Sequence, residues 1–98
     1  MSHSLSIGIL ILHVFLPGCT SLKEKRGRIK SILARLHREF NVSVSEVDHQ
    51  DRWQEAVLAC AWVSNDATQT RRSLEKVVPF FETLWPDLPI LEHHIELV

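Results

Sequence analysis

The chain is predicted to form a single α+β domain, with two helices on one face of a four-stranded antiparallel sheet. Three observations support this. The 98 residues are 45% apolar and 23% charged, an ordinary globular balance with room for one core. Two segments, 22–40 and 74–85, repeat apolar residues at helical spacing. Four further segments are apolar and β-branched or alternate apolar with polar residues, and they interleave with the helices in the order β-α-β-β-α-β.

The first strand is expected over Leu5–Leu16. Ile7, Ile9, Ile11, Val14 and Phe15 favour extended backbone, and both alternating faces are apolar. Pro17-Gly18 ends it with turn chemistry. Leu16-Pro17-Gly18-Cys19 imitates a lipoprotein cleavage box. However, no Lys or Arg precedes the run and Pro17 stands where a small residue is usual, so the segment is expected to remain as a strand. Twelve residues are also too few to span a bilayer as a helix. Ser21 and Glu24 have capping-box spacing, and Leu22, Ile29, Ile32, Leu33, Leu36 and Phe40 form one helical stripe closed by Asn41.

Val42 and Val44 alternate with Ser43 and Ser45, giving a half-buried strand that runs to about Val47. A polar corner, Asp48-His49-Gln50-Asp51, leads to a long strand from about Trp53 to Ser64, apolar on both faces. Asp66 is the next N-cap, before the stripe Leu74, Val77, Val78, Phe81, Leu84 and Trp85. Pro79 lies inside that stripe and predicts a bend or break near Glu75–Val78. Trp85-Pro86 ends the helix, and Leu91 to Leu97 alternate as an edge strand. Right-handed crossovers place the first and third strands in the centre. Helices cover only one face of such a sheet. The other must carry Ile7, Ile9 and Ile11 or Leu10 and Leu12, plus Trp62 and Cys60 or Val57 and Val63. A patch of that size predicts self-association through the sheet.

Four segments in order resemble a known family. They are Ser21-Leu22-Lys23-Glu24-Lys25-Arg26 after a Leu-Pro-Gly turn, Phe40-Asn41-Val42-Ser43-Val44, Glu46 to Asp51 with Trp53-Gln54, and Val63-Ser64-Asn65-Asp66. Together they are similar to the uncharacterised YlxP-like family, a domain of unknown function (DUF503). The resemblance covers essentially the whole chain. It implies a ferredoxin-like fold and a cytoplasmic protein often encoded among translation-initiation and ribosome-maturation genes. It supplies no activity and no catalytic residue. Pro79 and the His93-His94 pair depart from the family's pattern.

Net charge is −1, yet residues 1–40 hold seven Lys or Arg against Glu24 and Glu39, while the remainder holds four basic and ten acidic side chains. Lys23, Arg26 and Lys30 fall on one helical face, with Lys25 and Arg28 beside them. Cations near a helix N-terminus oppose the macrodipole, a local cost that phosphates would offset. These five residues are the candidate nucleic-acid surface, with solubility as the plainer explanation. Base-stacking recognition is excluded, because Ala56 to Val63 lacks the aromatic run that an RRM places on its third strand.

Asp48, His49, Asp51 and Trp53, with Asn65 and Asp66, form the second candidate set, for a ligand or an interface. One histidine with two carboxylates at a corner is weak evidence for a metal, because such residues usually bond their own backbone. His93 and His94 point to opposite faces of a strand and cannot chelate together. Cys60 sits mid-strand, Cys19 has no visible base, and only three glycines exist, so there is no phosphate loop. The sequence therefore predicts no catalytic residue, no metal and no cofactor. It predicts a cytoplasmic, non-enzymatic accessory protein that meets ribosomal RNA or a ribosome-associated protein and self-associates, without a membrane. The alternative is a dimeric, ACT-like regulatory domain that binds a small molecule.

Overall fold

The computed structural model describes residues 5–49 and 51–98. The elements run β1 (Ser6–Phe15), α1 (Leu22–Glu39), β2 (Ser43–Asp48), β3 (Glu55–Ser64), α2 (Ala67–Glu75), α3 (Val77–Leu84) and β4 (Ile90–Leu97). One antiparallel sheet has the order β2-β3-β1-β4, so the two doubly apolar strands are central, as expected. The fold is α+β and ferredoxin-like. Gln50, part of the expected polar corner, lies outside the described residues.

β1 alternates without interruption. Ser6, Gly8, Leu10, Leu12 and Val14 are buried, while Ile7, Ile9, Ile11, His13 and Phe15 are half-buried. The buried set meets Ala56, Leu58 and Cys60 of β3 and, from the helices, Ile29, Ile32, Leu36, Leu74, Val77 and Phe81. The open face is thereby settled. Ile7 pairs with Val63, Ile9 with Ala61, Ile11 with Ala59 and His13 with Val57. Paired residues share a face, so these side chains form an apolar band. It is flanked by Glu92, His94 and Glu96 of β4 and by Ser43 and Ser45 of β2.

The helices pack where the sequence permits close approach. α1 lies against β2, and α2 lies against β1, β3 and β4. A Cβ at Gly8 would come within 2.5 Å of Thr70 Cγ2 and 2.8 Å of Leu74 Cδ1, so only glycine lets α2 sit this close to β1. The Ser21 hydroxyl caps α1 by accepting from the Glu24 amide at 3.0 Å. The Glu24 carboxylate accepts instead from the Thr20 amide, 3.1 Å away, so the reciprocal half of the capping box shifts by one residue. Asp66 caps α2, accepting from the amides of Thr68 at 2.8 Å and Gln69 at 3.1 Å. The second helical stripe breaks at Lys76 into α2 and α3, inside the window that Pro79 predicted. A proline clashes with the carbonyl four residues back and offers no amide, and the helix restarts at Val77, two residues before Pro79.

β3 begins at Glu55, two residues later than expected. Trp53, the expected start, is 52% exposed and stands outside the core.

Candidate functional site

α1 presents its basic residues to three different environments. Lys25 is only 1% exposed. Its Nζ lies 2.9 Å from Glu46 Oε2 on β2 and donates to the His49 carbonyl. Lys25 therefore leaves the expected nucleic-acid set. The reason is periodicity, because Lys25, Ile29, Ile32 and Leu36 are spaced 4-3-4 and all four are buried on one stripe. Arg28 is half-buried and reaches Asp87 at 3.2 Å, which partly neutralises it. Lys23, Arg26 and Lys30 are exposed on the stripe opposite the core, and among the described residues none of them forms an ion pair.

The second expected set separates into two. Asp48, His49, Asp51 and Trp53 belong to the connection between β2 and β3, while Asn65 and Asp66 follow the far end of β3. Ten residues of strand put about 30 Å between them. No single ligand-binding loop unites them, and Asp66 is occupied in capping α2. At the near end, His49 adopts the left-handed backbone region with φ of 59°. Three neighbours hold it there. Asp48 Oδ1 accepts from its amide at 2.8 Å, and its carbonyl accepts from the Arg52 amide at 3.0 Å and from Lys25.

The fold adds two residues that sequence reasoning missed, His13 and Glu55. Both lie on the open face, near the His49 turn. His13 Nε2 donates to Glu55 Oε1 at 2.9 Å, and Arg52 Nη1 donates to Glu55 Oε2 at 3.1 Å. The His13 and His49 rings are 5.3 Å apart between centroids. The hydrogen bond from His13, helped by the Arg52 charge, holds the Glu55 carboxyl below the usual carboxylate range. Donor atoms of His13, His49 and Glu55 all lie within 4.8 Å of one another, the one such grouping of metal-ligating side chains among the described residues. The signal in the sequence was faint. His13 is the one polar residue on the odd face of an otherwise apolar strand, and its partner lies 42 residues away.

Neither thiol has the setting of a nucleophile. Burial pushes the Cys60 thiol up to about 12, which keeps it protonated at neutral pH. Cys19 is buried, with Sγ donating to the Ser21 carbonyl at 3.6 Å. Among the described residues, no helix is long and apolar enough to cross a membrane.

Comparison with known proteins places the chain in a family. The family model described as a protein of unknown function (DUF503) matches residues 7–95. The uncharacterized protein YlxP of Bacillus subtilis (strain 168) is 44% identical over 63 residues, covering 64% of this chain and 68% of that protein. The matched span includes β2 and β3, most of β1 and β4, the buried Lys25 and the cluster on the open face, and the chain belongs to the DUF503 family.

Proposed function

We propose that this domain is a non-enzymatic, cytoplasmic accessory protein that docks on ribosomal RNA through Lys23, Arg26 and Lys30. One observation carries the reading: of the five basic residues in the first half of α1, Lys25 and Arg28 are paired internally, while Lys23, Arg26 and Lys30 are exposed on one face with no ion pair among the described residues. That is the pattern of a surface that meets an external anion. Three phosphate contacts give weak, salt-sensitive binding without base reading. Co-sedimentation of the intact chain with ribosomal particles at low and high salt tests the proposal. The wild type is expected to bind and to be released by salt, and Lys23→Glu/Arg26→Glu/Lys30→Glu to remain in the supernatant. Equal sedimentation of the two proteins would overturn it.

A second reading is supported by the uncovered band of Ile7, Ile9, Ile11, Val57 and Val63. A second copy stacked sheet to sheet would remove it from water, and a dimer seam is where ACT-like regulatory domains bind small molecules. The expected result is a dimer by light scattering that Ile9→Glu converts to a monomer. A thermal-shift screen against amino acids and nucleotides then tests for a ligand.

A further inference from the structure

We propose that His13, His49 and Glu55 form a Zn2+ site on the open face of the sheet, with its fourth position open to solvent. Two imidazoles and one carboxylate make the donor set of open, three-ligand zinc sites. The same set is too rich in nitrogen for Ca2+ or Mg2+, which take oxygen ligands.

The geometry needs little adjustment. Zn–N and Zn–O bonds of about 2.0–2.1 Å in a tetrahedron separate neighbouring donors by roughly 3.4 Å. Here the donors already lie within 4.8 Å of one another. The His13–Glu55 contact of 2.9 Å is one edge of that triangle and opens slightly to admit the ion, the neutral His13 ring then carrying its proton on Nδ1 so that Nε2 is free to ligate. Strand register fixes two corners, because His13 faces Val57 and Phe15 faces Glu55 across the central pair.

The third corner is built rather than incidental. His49 holds the left-handed backbone region, which residues bearing a side chain seldom adopt. Its amide and carbonyl are both tied, the latter by an ammonium buried at 1% exposure. The Lys25 ammonium, shared between this carbonyl and Glu46, holds the turn that sets the His49 ring 5.3 Å from that of His13. Arg52 holds the second oxygen of Glu55 at 3.1 Å, an outer contact that orients the carboxylate. Asp48 Oδ1, 3.8 Å from His49 Nδ1, adds negative charge beside the site and offsets Arg52.

Zn2+ titration of the intact chain by calorimetry tests the site. The expected result is one ion per chain, with affinity reduced roughly 100-fold or more in His13→Ala, His49→Ala and Glu55→Gln. His93→Ala and His94→Ala should bind as the wild type does. Co2+ bound to the unaltered protein should give the intense visible bands of a four-coordinate ion, a readout independent of whether any variant folds. Failure to saturate with Zn2+, binding that survives both His13→Ala and His49→Ala, loss of binding in His94→Ala, or weak six-coordinate Co2+ bands would each overturn the assignment. The site shares no residue with the outward stripe of α1, so charge reversal at Lys23, Arg26 and Lys30 leaves Zn2+ binding unchanged, and the two proposals fail separately.

Discussion

The ammonium of Lys25 donates to the carbonyl oxygen of His49, joining the first turn of α1 to the end of β2 from inside the protein. The same ammonium is paired with Glu46 at 2.9 Å. One buried charge thus closes the helix onto the edge strand and fixes the turn that carries His49.

Removing that charge alone takes the Lys25 ammonium from the Glu46 carboxylate and one of two donors from the His49 carbonyl, which keeps the Arg52 amide. Lys25→Ala is expected to destabilise the domain by about 3–5 kcal/mol in urea unfolding. Replacing both partners, as Lys25→Met/Glu46→Leu, should recover most of that loss. The double variant keeps the core yet lacks the tether on His49, so its Zn2+ affinity should fall about 10–100-fold at near-native stability. A Lys25→Ala protein as stable as the wild type would show that the pair is not structural.

Gly8 marks the closest approach of α2 to the sheet. A methyl group there meets Thr70 and Leu74 at sub-van der Waals distance. Gly8→Ala should cost about 1–3 kcal/mol by overpacking. Because Thr70 and Leu74 are themselves buried, they cannot swing outward to relieve the clash. Thermal unfolding measures the loss, and an unchanged midpoint would mean that α2 has room to move.

The two N-caps and the break before Pro79 were legible because each depends on local chemistry, and the strand order because crossover handedness fixes it. Ser21 and Asp66 cap from within their own turns, and Pro79 disrupts its own helix. The burial of Lys25 was also written in the 4-3-4 spacing with Ile29, Ile32 and Leu36, but counting charge along the helix hid it. A charge is buried only when a distant partner exists, and Glu46 is 21 residues away. His13 and Glu55 were not legible at all. They meet through the register of β1 on β3, which no local pattern specifies. Trp53 was placed at the start of the third strand because an aromatic favours extended backbone, and the strand begins two residues later at Glu55.

Both cysteines should resist thiol reagents. At pH 8 neither Cys19 nor Cys60 is expected to react in the native protein, and both should react in denaturant. The Cys60 thiol ionises near 12 when folded against an ordinary value of 9.0. Between those limits the native state keeps a proton that the unfolded chain has lost. Stability therefore falls as pH rises through that window and is insensitive to this group below it. Reaction of Cys60 at pH 8 at the rate of a free thiol would contradict its burial.

The most direct test of the functional account is the salt dependence of binding between the intact chain and ribosomal RNA. Three phosphate contacts predict a slope of log K against log salt of about −2 to −3. In Lys23→Glu/Arg26→Glu/Lys30→Glu the slope should collapse towards zero along with the affinity. The same slope in wild type and variant would contradict the assignment of the outward face of α1 as the docking surface.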